Sequence, residues 1–137
     1  MKQVQVVPKE YINEVWGKVE SYIANAVEYC NDEFDAEHIR VYLVQGIYIL
    51  TIAIDEEGVI HGAAVVEFIN YPKQRIAFIV AIGGRMISTK ELWDQFTTWA
   101  KSCGASKVRG AARESISRLW RRAFKFEERY IIVEKKL

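Results

Sequence analysis

Two prolines, two cysteines and two histidines among 137 residues exclude several kinds of protein at once. Cys30 and Cys103 form neither a CxxC pair nor a disulfide framework. His38 and His61 are far apart and have no cysteine at ligand spacing, so no metal site is expected. With only eight glycines beside the two prolines, few long loops are expected. No apolar run reaches the roughly 18 residues that a membrane helix needs. The opening MKQVQVVPKEY lacks the apolar core of a signal peptide. A reducing cytoplasm and no membrane partner are the expectation.

An excess of either charge is also missing. The net charge is +1, from 19 basic and 18 acidic residues, but the two signs are segregated. From Glu10 to Glu37, eight acids (Glu10, Glu14, Glu20, Glu28, Asp32, Glu33, Asp35, Glu37) face Lys18 alone. From Lys101 to Lys125 the balance reverses, with Lys101, Lys107, Arg109, Arg113, Arg118, Arg121, Arg122 and Lys125 against Glu114. Such a block suits an anionic ligand, and equally a solvated face balancing the acidic part. Half the residues are hydrophobic and 27% are charged, the composition of a folded chain. The length suits one domain over 1–137.

Periodicity gives the element order. Gln3 to Val7 alternates and stops at Pro8, which reads as a strand. Ile12, Val15, Trp16, Val19, Ile23, Ala26, Val27 and Cys30 then recur at helical spacing. Asp35 is a candidate N-cap for a second helix through Leu43, stopped at Gly46. Ile47–Ile54 and Val59–Ile69 read as a hairpin across Asp55–Gly58. Arg75–Ile82 is almost wholly apolar, which suits a central strand covered on both faces. Ser88 and Glu91 fit a capping box opening a third helix that ends at Gly104. Lys107–Ala111 reads as a strand, Ser115–Phe124 as a helix and Arg129–Glu134 as a last strand. The order β-α-α-β-β-β-α-β-α-β predicts an α/β (α+β) fold, a mixed and mostly antiparallel sheet with helices on both faces. Trp16, Trp93, Trp99 and Trp120 all fall on apolar helix faces. They are read as core, so nucleic-acid binding is not expected.

One place has the makings of a site. The apolar strand ends at Ile82 and runs into Gly83-Gly84-Arg85-Met86, followed by the helix start at Ser88-Thr89. Glycines permit close approach of a ligand, and a helix start offers free N–H groups and a positive dipole end. The combination suits a pyrophosphate, to which Arg85 adds charge. The same glycines would serve equally as a tight turn with no ligand. Arg113 and Arg118, after the neighbouring strand, could reach a second phosphate, or merely decorate the last helix.

The order and spacing of several segments resemble the GNAT N-acetyltransferase fold, in particular the short GNAT-like proteins of tailed bacteriophages. These segments are Asp35–Ile39 through Leu43 and Gly46, Gly58–Ala63, Gly83–Arg85, Trp99–Gly104, and Phe126 through Tyr130–Leu137. The resemblance implies acetyl-CoA as cosubstrate and an amine, small-molecule or protein, as acceptor. It places the pyrophosphate over Ile82, Gly83, Gly84, Arg85, Met86, Ser88 and Thr89. It places the pantetheine along strand 75–82, where that strand splays from 107–111. It requires a base and an acid. Glu67, ionisable among apolar neighbours, is the candidate base, and Tyr130 the candidate acid. The chain departs from the family pattern in three places. Ala81–Met86 does not keep the spacing of the family's glycine loop, Arg121 stands where a tyrosine acid is common, and Lys125-Phe126 replaces Gly-Phe. These departures fit the rival expectation, a catalytically degenerate phage protein serving as a structural or interaction module in host cytoplasm or virion. The sequence leaves the oligomeric state open, a dimer included.

Overall fold

The computed structural model describes residues 1–30 and 32–137. Five strands form one sheet in sequential order: β1 (Gln3–Val7), β2 (Ile49–Ile54), β3 (Ile60–Asn70), β4 (Arg75–Gly84) and β5 (Lys107–Gly110). The first four pair antiparallel and β5 joins β4 in parallel. A parallel pair needs a crossover, and α3 (Lys90–Ser102) supplies it. The other helices are α1 (Ile12–Ala26), α2 (Ala36–Gln45) and α4 (Glu114–Phe124).

The sheet separates two apolar layers. On one face Leu50, Ile52, Ala63 and Val65 meet Trp16, Val19 and Ile23 of α1 and Ile39 and Leu43 of α2. On the other, Ala53, Ala64, Val66, Ala77 and Ile79 meet Leu92, Phe96 and Ala100 of α3 and Trp120 of α4. Neighbouring β3 residues alternate between the layers, as strand geometry requires. Between Val65 and Val66 their β4 partners step from Ala81 to Ile79. Val80 is therefore an extra residue, a β-bulge, and Val80 and Ala81 both pack toward α1. A bulge bends its strand and strengthens the local twist.

Helix ends follow local chemistry. Asp35 caps α2 as expected, and the box is closed by His38: the Asp35 side chain accepts from the His38 amide, and His38 Nδ1 accepts from the Asp35 amide. That gives His38 a structural task. Gly46 ends the helix at φ 78°. For α3 the cap is Thr89 rather than Ser88, since the Thr89 hydroxyl accepts from the Leu92 amide. Ser88 instead donates to the Arg85 carbonyl.

Two expectations need correction. Gly83 and Gly84 lie inside β4, paired with Ala63 and Gly62, and not in a loop beyond it. Arg129–Glu134 forms no strand: the chain from Phe126 to its end has neither helix nor strand, and Ile131, Ile132 and Val133 stand in solvent. The β-branched residues there have strand propensity but no partner edge, and propensity without pairing does not make a strand.

Candidate active site

β4 and β5 stay together for only four residue pairs, from Ile76↔Lys107 to Ile79↔Gly110. The bulge at Val80 begins where that pairing stops, and β4 continues through Gly84 with no strand neighbour on its β5 side among the described residues. The two strands thus open like a V. Gly110 marks the apex. A Cβ added there would lie 3.0 Å from the Trp120 ring, so the bare glycine lets Trp120 close the bottom of the V on the α3 face. Trp120 is buried, and Phe126 packs beside it at 5.2 Å between ring centroids.

At the far end of β4 the backbone is crowded. A Cβ on Gly83 would sit 2.4 Å from the Tyr22 carbonyl oxygen of α1. One on Gly84, whose φ is +66°, would sit 2.6 Å from the His61 carbonyl oxygen and 2.7 Å from the Tyr22 ring. These glycines therefore serve the close approach of α1 and β3 to the end of β4. The Arg85 amide is likewise spent internally, donating to the His61 carbonyl at 2.8 Å. Arg85 itself is exposed, while Met86 is fully buried against the α3 layer. Beyond them α3 begins at Lys90, and the N–H groups of Lys90 and Glu91, in its first turn, have no partner inside the helix. Ile82, Gly83, Gly84, Arg85, Ser88 and Thr89 thus run from the end of β4 to the start of α3, with Met86 buried between them.

The remaining predicted residues lie elsewhere. Arg113 reaches across to the short 3-10 turn after α1 (Glu28–Cys30), donating to the Tyr29 hydroxyl at 2.7 Å with its guanidinium 4.3 Å from the ring centroid. Arg118 is exposed on α4. Glu67 is half-buried and pairs across from Phe78, one position from the bulge. It lies close enough to Tyr48 to act on it: burial pushes the Tyr48 phenol above its ordinary range, and the Glu67 charge adds to the shift. Tyr130 is in the exposed tail, stacked only by Arg129, and does not join the other candidates. Burial raises the Cys30 thiol above its ordinary range, with Glu33 and Asp32 adding to the shift.

A pair that the sequence did not single out braces the opening. Asp55 and His61, at the two ends of the β2–β3 turn, share a 2.7 Å hydrogen bond. Asp55 also accepts from the amides of Glu57 and Val59. The His61 hydrogen bond, followed by the Val59 amide, holds the Asp55 carboxyl down to about 2. A carboxyl depressed by folding stabilises the fold above its unfolded value of 3.8 and loses that contribution as pH falls toward 2. Asp55→Asn is therefore expected to flatten the fall in melting temperature between about pH 4 and about pH 2. Superimposable wild-type and variant profiles would contradict this linkage.

Other concavities lie away from the V. One separates β1 and β2 from the end of α2, beside Lys9, Leu43 and Tyr48, and another runs between α3 and Val4. Among the described residues, no group of three or more His, Cys, Asp or Glu could hold a metal ion. No helix among them is long and apolar enough to cross a membrane.

The fold matches that of solved acetyltransferase structures. No protein-family model matches the sequence, and comparison with curated proteins finds no match. Solved structures do match. A ribosomal-protein-alanine N-acetyltransferase from Brucella melitensis biovar Abortus 2308 is similar with a TM-score of 0.70 and 14% identity, over 99% of each chain. An aminoglycoside 6'-N-acetyltransferase from Acinetobacter baumannii gives 0.65 and 15%, over 100% of this chain and 99% of that one. An aminoglycoside acetyltransferase from an uncultured soil metagenomic sample, in complex with sisomicin, gives 0.66 and 13%, over 99% and 96%. At such identities the likeness is one of fold.

Proposed function

We propose that the chain is a single-domain, acyl-CoA-dependent N-acetyltransferase that acetylates an amine. The observation that carries this reading is the V between β4 and β5. The outward N–H and C=O groups of Val80–Gly84 have no strand neighbour and can pair with an extended amide-bearing chain, as a sheet edge pairs with a peptide. Pantetheine is such a chain. Its diphosphate would fall at the start of α3, where free amides, the helix dipole and the exposed Arg85 favour negative charge. Acetyl-CoA would supply an activated thioester carbonyl. Glu67, near the bulge, would accept the proton that the amine loses. Tyr130 is not placed to act as the acid within its own chain, so the leaving thiolate would take its proton from water at the open end of the V. Fold neighbours named for aminoglycosides and for a ribosomal-protein alanine support an amine acceptor.

A second reading keeps the fold without the reaction, as an interaction module, in a phage if the sequence resemblance holds. One observation favours it: the Arg85 amide and the Arg113 guanidinium are engaged inside the protein. Thermal unfolding with acetyl-CoA separates the two. Cofactor at a hundred times its dissociation constant adds about 2.7 kcal/mol, expected as a rise of roughly 5–10 °C for a domain of this size. No rise at millimolar cofactor removes the enzyme reading. If the rise occurs, Glu67→Gln should keep it while lowering turnover of a polyamine or aminoglycoside acceptor by about a hundredfold or more. Unchanged turnover would remove Glu67 as base.

A further inference from the structure

A row of charged and apolar side chains crosses the sheet beside the V. Val66 and Phe68 flank Glu67 on β3, Ala77 and Ile79 flank Phe78 on β4, and Val108 lies between Lys107 and Arg109 on β5. All five of these apolar neighbours pack toward α3. Strand alternation therefore sends Glu67, Phe78, Lys107 and Arg109 to the opposite face, the face of α1 and α2. The layer under those helices takes in Tyr48, Val65 and Val80 but not Phe78. Glu67 pairs across from Phe78, and Phe78 from Arg109, so the three stand in one line over three strands. All three are half-buried. Strand spacing puts about 10 Å between the backbones of Glu67 and Arg109, with the Phe78 ring between them. Neither charge has an ion-pair partner among the described residues. Arg109 lies over the Tyr71 ring, 5.8 Å from its centroid, and the exposed Lys107 shares its face. Arg75 takes no part, since it lies over the Phe68 ring on the α3 side and donates to the Cys103 carbonyl.

We infer that this row selects, as the acceptor, an amine that also carries an anionic group, an aminocarboxylate. The inference rests on the acetyltransferase reading for the role of Glu67 as the group that meets the amine. A half-buried charge without a partner is costly, and here two of opposite sign stand at a fixed separation. A zwitterion laid across Phe78 satisfies both. Its ammonium meets Glu67, its methylenes rest on the ring, and its carboxylate meets the planar fork of Arg109. A polycation instead sets its second ammonium against Arg109 and Lys107, and like charges repel. Tyr48 bounds the row beyond Glu67, close enough for that carboxylate to act on its phenol. The row also lies at the apex of the V, since Phe78 is one residue before the last β4–β5 pair. An amine held at Glu67 is thus on the sheet face beside the point where the strands part.

Acceptor binding can be read without turnover. The isotopically labelled full chain is titrated, with no acetyl-CoA present, against a series of straight-chain aminocarboxylates and against diamines of matched length, and amide shifts are followed by NMR. The best aminocarboxylate is expected to shift residues 66–68, 77–79 and 108–110 and to bind about tenfold or more tighter than its matched diamine. Arg109→Gln should abolish that preference, and Arg109→Lys should keep most of it. Both changes are at a partly exposed position and should leave the fold intact. Where acetyl transfer is measured, Arg109→Gln should raise KM for the aminocarboxylate with little change in kcat. Equal binding of the two series, a preference for the diamine, shifts on another surface, or no shift with either overturns the inference. So does a preference that survives Arg109→Gln. A protein that shows the preference but binds no acetyl-CoA loses the enzyme reading and keeps the selective row.

Discussion

Gly83→Ala is expected to lower stability by about 2–3 kcal/mol or more, and Gly17→Ala to raise it. The two glycines differ in what surrounds them and in the element that holds them, β4 for Gly83 and α1 for Gly17. At Gly83 the new methyl would lie 2.4 Å from the Tyr22 carbonyl oxygen and 2.9 Å from its carbon, both backbone atoms. No rotamer relieves that contact, so α1 must lift from β4. At Gly17, exposed on α1, nothing lies within 4 Å of the added methyl. There the gain is the helix propensity of alanine over glycine, roughly 0.5–1 kcal/mol. Chemical denaturation of both variants beside the parent measures the difference. Equal effects of the same sign would mean that α1 does not rest on β4 as described. Since Gly83 also forms one wall of the V, its substitution should weaken acetyl-CoA binding in parallel.

Phe96→Ala is expected to cost about 3–5 kcal/mol, a fall in melting temperature of roughly 10–20 °C. Phe96 is completely buried and holds α3 to the sheet, with the Trp93 and Trp99 rings at 6.0 and 5.7 Å. Truncation leaves a cavity between two large rings that cannot both collapse into it. The exposed Thr98 gives the contrast, and its change to Ala should stay within about 0.5 kcal/mol. A loss below about 1 kcal/mol at Phe96 would contradict the placement of this layer. Because α3 carries the free amides at its start, the loosened variant should also respond less to cofactor.

How much of this was legible in the sequence depends on how local each signal is. Helical spacing from Ile12 to Ile23 and the Asp35 cap fix α1 and α2 from short-range chemistry, and both elements form where expected. The apolar run of β4 announced a strand covered on two sides. The same run hid the bulge, since Val80 looks like any other residue of RIAFIVAI and its extra status exists only against β3. Gly83 and Gly84 were readable as close-approach positions, but not what approaches: Tyr22 lies sixty residues away, in another element. For the same reason nothing local pointed to Arg113 meeting Tyr29, or to Asp55 meeting His61 across a turn. Arg129–Glu134 shows the opposite failure. Its composition promises a strand, yet strand formation is decided by a partner edge, which its own fold does not bring to it.

In the proposed function the parted stretch of β4 pairs with an extended ligand. Amide hydrogen exchange, followed residue by residue with and without acetyl-CoA, tests it directly. The account predicts new protection at Val80–Gly84 and at the opening turn of α3, with β1 and β2 unchanged. Bound cofactor that leaves the Val80–Gly84 amides exchanging at their free rate, or that protects a different surface, would contradict it.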